Sequence, residues 1–334
     1  MLIRLLNYVP EKFKGFFLNL SDLLGRTFLR KYIPLRSLYI EVTSSCNLRC
    51  KGCYRTVHDY KSKNKFISFD DFKKYVDQSP RASSLYLHGL GEPILHPDIK
   101  KIIEYASCSG KFNNVAFTTN TLAKEPESYV ELFGSGLTQI TISVDSLVQS
   151  EVNKMRPSTN VKKLEENIKW LVGKFGDRVK ISTVVNNVNR HTIEGTLEKL
   201  RKLGVREVSF HPYADLGYPE LCISFEDGKE FIEKLNSLDI GMKFYPSGFT
   251  PTEVFCNLPS TAPVITVTGY LTPCCRIYDE KVVNLGNLKN KSFKEIFFSK
   301  KYLEMQKNIE ARKYPNFCRG CMGNHVYVSR FRKV

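Results

Sequence analysis

From residue 38 onward the chain alternates two hydrophobic rhythms. Short runs rich in β-branched and aromatic residues lie at 38–43, 84–88, 114–118, 139–144, 179–185 and 207–210. Between them, stretches such as 69–78, 98–106, 161–175 and 192–203 carry apolar residues at helical spacing. Strand then helix, repeated, predicts an α/β fold with a parallel sheet covered by helices. Six such units suffice for a curved, incomplete (βα)6 barrel of the TIM type, in which chemistry gathers in the loops after the strands. The polar clusters fall in those places. Cys46, Cys50 and Cys53 follow the first run, and the segment from His88 through Gly91, Glu92 and Pro93 follows the second. Thr119-Asn120, Asp145-Ser146, Asn186-Asn187 and His211-Pro212-Tyr213 follow the remaining four. One shared site on one rim is the economical reading.

The βα rhythm is expected to stop near Pro219. After it come a helical stretch over 225–238, a loop rich in Pro and Gly over 245–251, a hairpin over 264–273 turning at Thr268-Gly269, and a helix over 292–309. This predicts a barrel over 37–245 and a small C-terminal α+β domain over 246–334. Ahead of the barrel, over 1–36, Phe13, Phe16, Phe17, Leu20, Leu23 and Leu24 form one helical stripe with Lys12, Lys14 and Arg26 off it. Such a basic amphipathic helix serves equally for packing on the barrel or for lying on an anionic membrane surface.

The net charge of +16 favours contact with an anionic group, whether phosphate, nucleic acid or lipid. No helix carries a base-reading pattern, so nucleic acid is not expected as a partner. Ten cysteines would mean disulfides in a secreted protein, but no signal-peptide pattern opens the chain. In a reducing cytoplasm clustered cysteines more often bind metal. No apolar run is long enough to span a bilayer. The expected location is therefore cytoplasmic, with peripheral contact at the inner face of the membrane as the open variant.

Cys46, Cys50 and Cys53 place three thiols within one loop, in C-x3-C-x2-C spacing. Thiolates are soft ligands for zinc or for iron-sulfur clusters. Three of them leave one iron of a cubane open, whereas a structural zinc wants a fourth ligand, for which His58 is the nearest candidate. Ser143 and Asp145 alternate with Ile142 and Val144, so both point to one face at the end of the fourth strand.

The cysteine spacing after a first strand resembles the radical SAM superfamily, and the resemblance extends over 38–213. It implies a partial (βα)6 radical SAM barrel and a 4Fe-4S cluster on Cys46, Cys50 and Cys53. The open iron would chelate the amino and carboxylate groups of S-adenosylmethionine. One electron then cleaves the sulfonium to methionine and a 5'-deoxyadenosyl radical, which abstracts a substrate hydrogen. Gly91-Glu92-Pro93 resembles the family's GGEP segment, with Leu90 in place of its first glycine. There, backbone groups and the Glu92 side chain would meet the methionine amino group. The same resemblance assigns Ser143 and Asp145, with the regions of Asn120 and Asn186, to the ribose and methionine carboxylate. Gly52 stands where many members carry an aromatic residue against adenine, so Tyr54 is the candidate for that contact. His211 is a candidate substrate or cofactor contact, the alternative being a structural histidine.

Cys256, Cys274, Cys318 and Cys321 can close a zinc site or fully ligate a cubane. The run Cys256-x12-Gly269-x4-Cys274 resembles the opening of a SPASM domain, and Cys318-x2-Cys321 its later CxxC. No cysteine follows Cys321, which resembles the shortened, single-cluster twitch form of radical SAM dehydrogenases of aminoglycoside assembly. Cys275 is the alternative to Cys274 as ligand. A fully ligated auxiliary 4Fe-4S cluster has no open iron and would carry electrons. Cys108 and Cys222 have no partner at ligand spacing and read as small hydrophobes, with a hydrogen-atom donor as the second reading for Cys222.

These implications add up to a radical SAM oxidoreductase performing a two-electron oxidation of a small molecule such as a sugar or cyclitol, fed by flavodoxin or ferredoxin. Redox-neutral epimerisation or rearrangement, modification of a ribosomal peptide, and a zinc-bearing binding protein remain the alternatives. The extension before residue 38 is too short for a winged-helix peptide reader, which favours a small, anionic molecule over a peptide.

Overall fold

A computed structural model describes residues 35–58, 64–249 and 256–318. The basic stripe over 12–26 and Cys321 lie outside the described residues. Those from Arg36 onward fall in one unit.

The first strand, β1 (Leu35–Ile40), leads through the cysteine loop to α1 (Tyr54–Val57) and α2 (Phe69–Gln78). There follow β2 (Ala82–Tyr86), a 3-10 turn (Pro93–Leu95), α3 (Ile99–Cys108), β3 (Phe112–Thr119), α4 (Ser128–Gly134) and β4 (Gln139–Ser143). Next come α5 (Gln149–Met155), α6 (Val161–Phe175), β5 (Val179–Val185), α7 (Ile193–Lys202), β6 (Glu207–Pro212), α8 (Phe225–Ser237) and β7 (Lys243–Pro246). The C-terminal part holds α9 (Leu258–Thr261), β8 (Val264–Ile265), β9 (Leu271–Thr272), α10 (Phe293–Phe297) and α11 (Lys300–Glu310).

Helix starts obey their capping residues. Ser68 accepts from the Asp71 N–H, Asn160 from Lys163, and Ser224 with Asp227 forms a reciprocal capping box. Among the described residues the strands form one sheet, ordered β7-β6-β5-β4-β3-β2-β1-β8-β9. Alternation along β4, β5 and β6 gives it two unlike faces. Leu38, Ile40, Leu85, Ile140, Ile142, Ile181, Val208 and Phe210 are fully buried beneath the helices. Phe210, for example, sits 5.3 Å from Phe231 and 5.9 Å from Phe244, ring to ring. Burial of one such ring is worth roughly 1.5–3 kcal/mol. The opposite, hollow face carries Tyr86, His88, Thr141, Ser143, Ser182 and Ser209, all partly open.

The structure departs from expectation in three places. The parallel rhythm does not stop at Pro219, because α8 covers the sheet and β7 pairs in parallel with β6, Glu207 opposite Lys243 and Phe210 opposite Pro246. Pro246 disguised this strand, yet an edge strand tolerates a residue without an N–H. The C-terminal hairpin does not stand apart either, since β8 pairs in parallel with β1, Tyr39 opposite Val264 and Ile40 opposite Ile265. The expected helix over 292–309 is two, because Ser299 caps α11 by accepting from the Tyr302 N–H.

Candidate cluster and cofactor site

The cysteine loop is fixed from several sides before any cofactor is considered. Thr43 bridges to Phe66, and its Oγ1 donates to the Lys65 carbonyl at 2.8 Å while accepting from the Ser45 N–H at 2.9 Å. Ser44 Oγ accepts from the Lys65 N–H at 3.0 Å, and Arg55 Nε donates to the Ser44 carbonyl at 2.7 Å. Lys51 N–H reaches the Met155 carbonyl at the end of α5, 2.8 Å away. Gly52 has a φ of +77°, and a Cβ there would lie 2.6 Å from Tyr213 Cε2. The aromatic ring beside position 52 is therefore Tyr213, from the end of β6. Tyr54 packs against His58, ring centroids 4.3 Å apart, and against Val264 and Tyr278.

Cys46, Cys50 and Cys53 are free and half-buried. Burial pushes the Cys50 thiol up to about 11, against the pull of the nearby Arg156 guanidinium, while Cys53 and Cys46 raise it further. Burial likewise raises Cys46, with Glu92 and Cys53 adding to it and the Leu48 N–H opposing. Among the described residues no three Cys, His, Asp or Glu side chains stand together as ligands of one ion. A cubane takes each thiolate on a different iron, and three soft thiols spread along one loop fit that demand.

Gly91 presses directly on this loop: a Cβ there would lie 2.3 Å from the Thr43 carbonyl and 2.6 Å from that of Ser45. The Glu92 N–H donates to the Ser45 carbonyl at 2.7 Å. Its carboxylate turns inward, accepting from the Asn120 N–H at 2.7 Å and the Ile94 N–H at 3.5 Å. Burial pushes it up to about 7. The Glu92 side chain thereby ties this loop to the end of β3. Pro93 is buried and starts the 3-10 turn. Asn120 Nδ2 donates to Asn47 Oδ1 at 2.9 Å and lies 4.0 Å from Cys46 Sγ, so it does border the loop.

Ser143 and Asp145 also meet the loop, through a residue that periodicity did not single out. Arg156, just after α5, donates from Nε to Asp145 Oδ2 at 2.8 Å and from Nη1 to the Ser143 carbonyl at 2.9 Å. Asp145 Oδ1 accepts the Val184 N–H at 3.0 Å. The signal available was a lone Arg between a helix and Pro157, eleven residues past Asp145. Asn186 is buried and closes its own turn, accepting from the Val188 N–H at 2.9 Å and donating to the Val184 carbonyl at 3.2 Å, which makes it a turn former. His211 lies on the hollow face opposite Val184; its ring is accessible yet surrounded by protein, and that partial desolvation lowers its pKa.

In the C-terminal part, burial raises the Tyr314 phenol, and both Cys256 and Cys318 add to the shift electrostatically. Cys274 is half-buried, whereas Cys275 is exposed and adds electrostatically to the upward shifts of the Tyr39 and Tyr278 phenols. Gly269, at the hairpin turn, has a φ of +88°, and a Cβ there would lie 2.3 Å from Tyr75 Oη. Cys108 is exposed at the end of α3, and Cys222 packs near Tyr213 and Val184. The thiol donors present again fit an iron-sulfur cluster. Among the described residues no helix is long and apolar enough to cross a membrane.

The sequence model of the radical SAM superfamily matches residues 40–200, and that of an iron-sulfur cluster-binding domain, SPASM, matches 256–322. A tungsten-containing aldehyde ferredoxin oxidoreductase cofactor-modifying protein of Pyrococcus furiosus is 24% identical over 318 residues, 86% of this chain and 87% of that protein. A GTP 3',8-cyclase of Clostridium acetobutylicum is 27% identical over 265 residues, covering 75% of this chain and 79% of its own. In fold, the chain is similar to Streptococcus suis SuiB bound to S-adenosylmethionine, with a TM-score of 0.69 at 16% identity, over 83% of this chain and 70% of that one. S-adenosylmethionine, a 4Fe-4S cluster and auxiliary iron-sulfur chemistry come with these two domains. The chain belongs to the radical SAM superfamily and carries a SPASM-type iron-sulfur domain at its C-terminal end.

Proposed function

We propose that the enzyme oxidises a small, oxygen-rich molecule such as a sugar or cyclitol by two electrons, with Cys46, Cys50 and Cys53 holding the catalytic cluster. Cys256, Cys274, Cys318 and Cys321 hold the auxiliary one. When bound, the open cluster and S-adenosylmethionine supply one-electron sulfonium cleavage and hydrogen abstraction. The chain's own residues supply orientation. The observation that carries the substrate class is the hollow face of the sheet. Thr141, Ser182 and Ser209 line it, with a Lys180–Glu207 ion pair between β5 and β6. Hydroxyl and charged groups on a half-desolvated surface ask for matching hydrogen bonds from whatever fills it.

His88 is the best-defined donor there. Its Nδ1 accepts the Thr118 N–H at 3.2 Å, and burial lowers its pKa to about 4, so the ring is neutral with its proton on Nε2. Tyr39 and Tyr86 hold it edge-on at 5.5 and 5.6 Å. Its Nε2–H then donates to a substrate oxygen. Arg156 holds Asp145 in place through its Nε, 2.8 Å from Oδ2.

A second reading, redox-neutral rearrangement of a nucleotide, is favoured by the similarity to GTP 3',8-cyclases over three-quarters of the chain. The net charge of +16 suits an acidic electron donor of the flavodoxin or ferredoxin type, and the stripe over 12–26 suits a peripheral membrane position in the cytoplasm. The discriminating experiment incubates the reduced, reconstituted enzyme with S-adenosylmethionine and a panel of sugars, cyclitols and nucleotides, including GTP. A true substrate accelerates 5'-deoxyadenosine formation. A product two hydrogens lighter supports oxidation, whereas unchanged mass selects rearrangement.

A further inference from the structure

Glu41 lies one residue beyond β1 and is fully buried. Its two carboxylate oxygens serve two different parts of the molecule. Oε1 accepts the Leu90 N–H at 3.0 Å, in the loop that carries Gly91 and Glu92. Oε2 accepts the Val267 N–H at 3.0 Å, in the C-terminal hairpin between β8 and β9. The backbone adds a third tie, since the Glu41 N–H donates to the Ile265 carbonyl at 2.9 Å. Gly89 makes the approach possible, because a Cβ there would lie 2.5 Å from Glu41 Cγ. Tyr278, Tyr39 and Leu90 pack in the same region, beside Cys275.

We propose that Glu41 is a positioning residue that locks the S-adenosylmethionine-facing loop to the SPASM-type hairpin, so that the two cofactor-bearing regions respond as one body. A carboxylate is the one side chain of this length with acceptors on both oxygens, which the two convergent N–H groups require. Glutamine keeps the shape but turns an amide N–H₂ on one of those donors, releasing either the loop or the hairpin. The inference rests on the reading that the loop over 88–93 faces S-adenosylmethionine.

The test compares the reconstituted parent with Glu41→Gln by S-adenosylmethionine titration calorimetry and by amide hydrogen exchange over 88–93 and 264–272. In the parent, S-adenosylmethionine should slow exchange in both segments together. In Glu41→Gln, iron content should hold, affinity should fall about tenfold, in the range seen when groups that orient a site are removed, and the hairpin should no longer respond. Unchanged affinity with a responding hairpin would overturn the inference. Should Glu41→Gln fail to fold, the parent decides alone: protection confined to 88–93 contradicts the coupling. A parent that binds no S-adenosylmethionine removes the underlying reading of the loop instead.

Discussion

The Tyr213 ring lies against the Cα of Gly52, so that a Cβ added to Gly52 would stand 2.6 Å from Cε2 and 2.8 Å from the phenolic oxygen. The end of the sixth strand thereby presses on the loop that carries all three N-terminal cysteines. Gly52 also has a left-handed φ of +77°, which a side chain disfavours.

Gly52→Ala is accordingly expected to cost about 1–3 kcal/mol in backbone strain before any clash is counted. The variant should bind less iron at the N-terminal site, read as iron per chain after reconstitution, and adding Tyr213→Ala should recover only part of it. Full iron loading in Gly52→Ala would refute the contact's role.

Arg156 and Asp145 form a largely buried ion pair, their side chains 15% and 10% exposed. Removing one partner of such a pair leaves the other charge uncompensated, at a cost of roughly 3–5 kcal/mol. Arg156→Leu should show that loss in urea unfolding, while the double variant with Asp145→Asn should recover part of it. Equal stability of Arg156→Leu and parent would place the pair outside the core account.

His88 makes stability sensitive to acid. Its folded pKa, lowered to about 4 by burial, lies below the ordinary value near 6.5. Between these values the unfolded chain binds a proton that the folded chain excludes, so the contribution is complete above pH 6.5 and is lost as pH falls towards 4. The size is on the order of 3 kcal/mol. Asn in this position can accept the Thr118 N–H through Oδ1 without titrating. Unfolding free energies at pH 7 and pH 5 should therefore diverge less in His88→Asn than in the parent, and identical slopes would argue against a buried neutral ring.

The Tyr75 hydroxyl is buried without a hydrogen-bond partner among the described residues, held against the Gly269 turn. An unsatisfied buried polar atom costs about 1–3 kcal/mol. Tyr75→Phe is expected to raise the melting temperature of the chain; a drop would mean that the hydroxyl has a partner.

Several elements could be read directly from spacing. The stretches 69–78, 161–175 and 179–185 coincide with α2, α6 and β5, because each buries one face and the apolar period reports that burial. The grouping of Cys46, Asn120, Ser143 and Asp145 at one rim was legible too, since parallel strands carry their C-terminal ends to a common edge. Contacts between distant segments were not. Glu41 meets Leu90 and Val267 across 49 and 226 residues of sequence, and nothing in local periodicity registers such a meeting. The approach of Tyr213 to Gly52, 161 residues apart, escaped for the same reason. Arg156 escaped notice because it caps a short helix inside a loop, where no repeating pattern singles it out.

Two separate cysteine groups are proposed to hold two iron-sulfur clusters, with S-adenosylmethionine chemistry at the first. The most direct measurement is iron, sulfide and EPR analysis of the anaerobically reconstituted chain beside a Cys46→Ala, Cys50→Ala, Cys53→Ala variant. About eight irons are expected in the parent and about four in the variant, in the manner of two cubanes, with S-adenosylmethionine cleavage lost in the variant alone. Zinc without iron, or equal iron in both proteins, would contradict it.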